Sequence, residues 1–462
     1  MSPVRSAITS SSARLLKIGG VSVGLVALCL ACGSSRDIDE HNSEAMNLGG
    51  AAASSATQLP CEPLPAGTEQ LVKGVRIFEL AAFQGVKVSL VHQMTEVAPR
   101  NAKIVANRPA LFRAYVAPEP GWVPRIVRAR LTLQNTDEAG RVSEKVFPRT
   151  VTLRDASIDR DLDSTYNFEV PADAITGNTR YSVAFSETEA CPPASTGTVA
   201  RFPSEGFSEL QARPIGGVHV QLVPLRFLGP TGPLLPDTSD SQLEIYKDAL
   251  FRLFPVDAVD MKVRSEPVDT SASTMTAVLD QLSALRAAEN SASDVSYYGL
   301  VRFTERVEDC CSPSCVLGGA VDGDPTHPTA GTALGVGYTG EASAGTLVHE
   351  LGHVYGRPHT PCGVEGDPEY PYRGGLIGSW GYDLLNYELI DPMTHHDCMG
   401  YCAPVWVSDY TFAHLQAYLA RLNGYDAVLP GQMLQTLKIR TSSSSLRHVC
   451  SNPLSARKSS FQ

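Results

Sequence analysis

Residues 349–359 read HELGHVYGRPH, three histidines and a glutamate at a spacing that suits one metal ion and a reacting water. His349 and His353 stand four apart, so on a helix both imidazoles leave from one face, about 5–6 Å apart at Cβ. Glu350 is their helical neighbour and reaches a water held on the same ion, where it would act as general base. Gly356 permits a left-handed exit from the helix, which brings His359 round as third ligand. Three neutral imidazoles leave the fourth position of a zinc ion open, as a catalytic site requires and a closed structural site does not. Zinc lowers the pKa of a bound water from about 15.7 toward about 7, so Glu350 would take that proton and pass it to a leaving amine.

These residues need a helix to carry them and a scaffold to place it. The stretch SAGTLVHELGHVYG has the length and apolar spacing of that helix. Upstream, GVHVQLVPLRF, AVDMKVRSE, DVSYYGLVRF and TALGVGY read as strands, while DSQLEIYKDALFRLF and TMTAVLDQLSALRAA read as helices. Alternation of that kind predicts an α/β domain with helices packed on a mixed sheet, assigned to 205–430 and closed by a last helix in SDYTFAHLQAYLARLNGY. Residues 61–204 follow another pattern: short runs such as VKVSLVHQM, ALFRAYVA, VRARLTLQN, RTVTLR and RYSVAFS, separated by Pro, Gly, Asn and Asp turns. That predicts an all-β sandwich. With 462 residues the chain is long enough for at least two cores, and the fold class expected is multidomain, a sandwich followed by the α/β domain.

The N-terminus reads as an export segment over 1–32. Arg5, Arg14 and Lys17 precede the apolar run IGGVSVGLVALCLA, too short to span a bilayer, which needs about 20 apolar residues. The string LCLAC then GSS resembles a bacterial lipoprotein signal, which would make Cys32 the acylated first residue, with simple secretion as the alternative. Residues 33–60, rich in Ser, Ala and Gly, read as a flexible tether, and 431–462 as a polar tail. Eleven cysteines in an exported chain point to disulfides. Cys61 with Cys191, and pairs among Cys310, Cys311, Cys315, Cys362, Cys398 and Cys402, are the expected candidates.

The HExxHxxGxxH string resembles the metzincin clan of zinc endopeptidases. Those enzymes carry a methionine turn beneath the metal, and here DCMGYCAPVWVSDYTF places Met399 two residues before Tyr401. The resemblance implies that Met399 floors the zinc site and that the Tyr401 phenol binds the oxyanion. It covers roughly 217–425 and gives the expected catalytic domain a metzincin-like fold with a long active-site helix. Met393 is the competing turn methionine, followed by histidines instead of tyrosine. After the third histidine comes Thr360, which matches none of the astacin, serralysin, reprolysin or matrix-metalloprotease groups. The stretch PCGVEGDPEYPYRGGLIGSWGYD resembles a subgroup of bacterial exported zinc metalloproteases, often lipoproteins.

A formal charge of -11 with no Lys/Arg field excludes a nucleic-acid surface. The expected partner is a protein or glycoprotein substrate, with membrane contact only through the lipid anchor, at the outer membrane or cell surface. His395 and His396 beside Asp397 read as loop residues more than as a second metal site. The acids in AVDGDPTHPT and GVEGDPEY could hold a structural calcium ion but lack EF-hand spacing, so solvated turns are the plainer reading. Trp406, Val405 and Tyr410 either wall the pocket beyond the scissile bond or pack in the core. Two other readings stay open: a surface adhesion protein with a vestigial metal site, and a β region that acts as a removable inhibitory propeptide.

Overall fold

A computed structural model describes residues 64, 68–190, 196–229, 232–271, 275–306, 318–320 and 331–425. The export segment with Cys32, the tether, Cys61, Cys191, Cys310, Cys311, Cys315 and the tail after 430 lie outside the described residues, as do both acids in AVDGDPTHPT. Among the described residues no helix is long and apolar enough to cross a membrane.

The chain is β-rich, with several sheets and few helices. Two antiparallel sheets come first. One is built on β1 (Val75–Phe83), flanked by β2 (Lys87–His92) and β3 (Ala110–Pro118), with β6 (Tyr166–Val170) beyond β3. The other is built on β4 (Arg125–Thr136), flanked by β5 (Val142–Leu153) and β7 (Arg180–Glu187). Along β4, Val127, Ala129, Leu131 and Leu133 are wholly buried while Arg128 faces solvent, the period-two alternation that a half-buried strand needs. The two sheets share one core, where the Tyr166 and Phe185 rings meet edge to face at 4.8 Å. The last pairing to β7 comes from Ser208–Glu209, just beyond the 204 boundary read from the sequence.

The third sheet is mixed. Strand β8 (Val218–Gly229) pairs in parallel with β9 (Val259–Val263) and β10 (Val295–Val301), and β10 pairs in parallel with β12 (Thr332–Val336). The edge strand β11 (Gly318–Ala320) runs antiparallel to β12. Alternate residues of β10 serve opposite faces. Tyr297 and Val301 pack with Leu279 and Leu282 of α2 (Met275–Ala288), whereas Tyr298 and Leu300 belong to the main core with α1 (Asp240–Leu253) and α3 (Glu341–Val354). Helices on both faces explain why these strands read as nearly continuous apolar runs.

Helix α3 buries Ala344, Leu347, Val348, Leu351 and Val354, an apolar stripe at helical spacing that seats it on the sheet. Its remaining face carries His349 and His353. After α3 come a loop-rich stretch, the short parallel pair β13 (His396–Asp397) and β14 (Val405–Trp406), and α4 (Asp409–Leu422). The β1–β2 turn of the first sheet braces this region: the Trp406 indole and the Tyr382 amide both donate to the Gly85 carbonyl, at 2.8 and 3.1 Å.

Candidate metal centre

Helix α3 places the His349 and His353 rings edge to face, with centroids 4.7 Å apart. The chain leaves the helix at Gly356 with φ 79°, a conformation that costs a glycine little, and His359 returns against the same site. The Nε2 atom of His353 then lies 3.2 Å from that of His349 and 3.1 Å from that of His359. Tetrahedral ligation at the usual Zn–N length would set such atoms about 3.3 Å apart.

The tautomers follow from the outer hydrogen bonds. His349 Nδ1 donates to the Cys398 carbonyl at 2.7 Å and His353 Nδ1 to the Arg357 carbonyl at 2.5 Å. Carbonyl oxygens only accept, so both protons sit on Nδ1 and both Nε2 lone pairs face inward. Burial lowers the pKa of all three imidazoles, that of His359 to about 4, which keeps them neutral and able to ligate. Convergent lone pairs repel one another unless a cation lies between them. The donor set therefore fits a zinc ion.

Glu350 is buried beside this cluster, and burial pushes its carboxyl up to about 8. The Tyr401 hydroxyl lies 3.0 Å from His359 Nε2. Burial first, then the nearby Glu350, pushes that phenol up to about 12, so it stays a donor at neutral pH. Met399 is wholly buried beneath α3, where a Cβ on Gly352 would collide with its Sδ. Met393, the alternative turn methionine, is 74% exposed.

The metal-free protein offers a test of the Glu350 environment. A carboxyl raised from 4.5 to about 8 on folding contributes stability that is fully present below about 4.5 and is lost as pH rises through 8. Glutamine stays neutral at every pH. With chelator present, Glu350→Gln is therefore expected to gain thermal stability over the wild type by about 5 °C between pH 5 and 8.5. A pH-independent offset would show that the carboxylate is solvated.

The loop that follows His359 is tied down on several sides. Asp367 N donates to the His359 carbonyl at 2.7 Å, while the Asp367 carboxylate pairs with Arg357 at 3.4 Å and accepts from the Tyr410 hydroxyl at 2.9 Å. A disulfide joins Cys362 to Cys402, and Cys398 is free and buried. Among the described residues the other group with metal-ligand spacing is Cys362, His396 and Cys402, whose two sulfurs are spent in that disulfide. No carboxylate cluster for calcium appears among them. His395 Nδ1 lies 3.2 Å from the Asp391 carbonyl, a loop contact. Trp406 packs in the core, whereas Val405 is exposed. Two features had no signature in the sequence: the Cys398 carbonyl that orients His349, and the backbone amides that hold the Asp397 carboxylate behind it.

Comparison with solved structures returns faint likenesses. A glycosyl hydrolase family 2 member from Bacteroides cellulosilyticus is 12% identical, covering 52% of this chain and 34% of its own, with a TM-score of 0.15. A calcium-binding mutant of Bacteroides uniformis beta-glucuronidase 2 is 11% identical, covering 52% and 26%, with a TM-score of 0.13. The chain thus spans about a third or less of the structures it matches, and likenesses this weak carry no argument about fold or activity. No curated protein matches the chain. Residues 318–403, which hold all three histidines, Glu350, Met399 and Tyr401, match the family model of peptidase M66, and this match supports a metallopeptidase.

Proposed function

We propose that this protein is a zinc-dependent endopeptidase of the metzincin type that hydrolyses peptide bonds of extracellular proteins or glycoproteins. The observation that carries the reading is the convergence of three histidine Nε2 atoms beside a buried glutamate and a protonated phenol. His349, His353 and His359 would hold the ion, which when bound supplies Lewis acidity to a water and to the scissile carbonyl.

The chain's own groups do the rest. Glu350, whose carboxyl a bound cation would hold in the charged form, accepts the proton of the attacking water and returns it to the leaving amine. Tyr401 donates from its hydroxyl to the oxyanion that develops on the carbonyl oxygen. Met399 packs against Gly352 of α3 and floors the site beneath the histidines. Export and attachment through Cys32 complete the proposal and rest on the N-terminal sequence; a mature terminus without a diacylglyceryl group, read by mass spectrometry, would remove the anchor.

Metal analysis combined with a peptide-library cleavage assay tests the activity. One zinc per chain and cleavage that chelator abolishes and zinc restores are expected. A metal-free chain that cleaves, or a zinc-loaded chain that does not, overturns the reading. Within the same assay Tyr401→Phe should lower kcat about 100-fold with KM within about twofold. An effect confined to KM would place Tyr401 in ground-state binding only.

A further inference from the structure

The turn between β13 and β14 carries three groups that reach the metal centre. The Cys398 carbonyl accepts from His349, the Met399 carbonyl accepts from the Thr360 amide at 3.0 Å, and the Tyr401 amide donates to the Cys362 carbonyl at 2.8 Å. A displacement of this turn would therefore rotate His349, shift the loop just past His359 and move the Tyr401 hydroxyl together. At its base lies Asp397, 0% exposed, with no cation paired to it among the described residues. One carboxylate oxygen accepts from the Met399 amide and the other from the Ser408 amide, both at 2.9 Å. Ser408 is the N-cap of α4; its hydroxyl accepts from the Thr411 amide and also bonds the Asp397 carboxylate.

A buried carboxylate without a counter-ion is costly, and here its oxygens are held by two backbone amides nine residues apart, one in the turn and one at the helix start, and by the Ser408 hydroxyl. From this we infer that Asp397 is a positioning residue for the metal centre: it clamps the turn to the start of α4, and the clamp fixes the Cys398 carbonyl that orients His349. The inference rests on the reading of His349, His353 and His359 as metal ligands. It assigns to Asp397 a share of metal affinity although the side chain touches neither ion nor substrate.

Asparagine offers one acceptor oxygen where Asp397 offers two, so in Asp397→Asn an amide N–H₂ must face a backbone N–H, and one buried donor is left without a partner. Outer partners of metal ligands carry about 10- to 100-fold in metal affinity. The full-length protein is titrated with zinc against a chromogenic chelator, and the cobalt-substituted form is followed by its visible absorption. Asp397→Asn should weaken zinc binding at least 10-fold and alter the cobalt spectrum. Trp122→Phe, beside the second sheet, is the control for mere destabilisation. It removes the indole bond to the Leu153 carbonyl, worth about 1 kcal/mol of stability, and leaves the turn and Asp397 untouched, so zinc affinity should stay within about twofold of wild type.

Wild-type affinity in Asp397→Asn, or an equal loss in Trp122→Phe, overturns the clamp. Should Asp397→Asn fail to fold, Asp397→Glu is measured in its place. It keeps both acceptors but moves them by one methylene, so weakened zinc binding supports the clamp and unchanged binding overturns it. A wild-type chain that binds no zinc would instead sink the metallopeptidase reading itself, a separate result from any seen in these variants.

Discussion

Replacement of Glu350 by glutamine is expected to lower kcat/KM for peptide cleavage about a thousandfold while the protein keeps one zinc per chain. Glutamine preserves the volume of the side chain at a site that is 8% exposed, so the packing of α3 should survive. What it loses is the ability to accept a proton, and positioned proton transfer is worth about 10²–10⁴ in rate. His349 and His353 are oriented without help from Glu350, by main-chain acceptors at Cys398 and Arg357, so metal content should not follow activity down. Zinc by mass spectrometry or atomic absorption and cleavage by a fluorogenic peptide give the two readouts. If activity persists, another group is the base. If zinc departs with activity, Glu350 belongs to the groups that hold the ion, and the proton-transfer role fails.

The site was legible in the sequence to the extent that its parts are local. His349, Glu350 and His353 share one helical turn, and His359 follows within the next six residues, so spacing alone brings them together. Gly352 carried a signal too. A glycine inside a helix costs about 1 kcal/mol against alanine, which points to a close approach, and the structure supplies Met399 as the approaching group. Asp397 was less readable. Its partners are backbone amides, identical at every non-proline position, so no residue type announces them. In the fold, β4 and β10 showed their faces by alternation or by apolar runs. By contrast β1, VRIFELAAF, is buried at most positions on both sides, and a short apolar run does not distinguish strand from helix by period.

Arg108→Ala is the second large effect expected, and it concerns stability. The sequence RPALFRAYV gives no hint that this arginine differs from a surface cation. In the structure it is 0% exposed, and its guanidinium donates to the carbonyls of Phe251, Phe254 and Val256 at 2.5, 2.9 and 2.5 Å. Those carbonyls lie at and just beyond the C-terminus of α1, where helical acceptors lack partners and the helix dipole is negative. The loop that presents Arg108 is itself held by Gln84, whose side chain donates to the Val105 and Arg108 carbonyls and accepts from the Val105 amide. Alanine would leave the buried Phe251 and Val256 carbonyls without this donor, while the Phe254 carbonyl keeps its bond from the Val256 amide, and would leave a cavity behind, a loss of about 3–5 kcal/mol. Urea unfolding should show a midpoint lower by about 1–2 M. Arg108→Lys, a point charge that cannot fork, should recover only part of the loss. A midpoint within about 0.3 M of wild type in Arg108→Ala would mean that water satisfies those carbonyls. The same arithmetic bears on the β region as a removable propeptide: cleavage near residue 205 followed by release of the sheets would uncap α1, which packs against the helix of the metal centre, so the sheets are expected to remain part of the working protein.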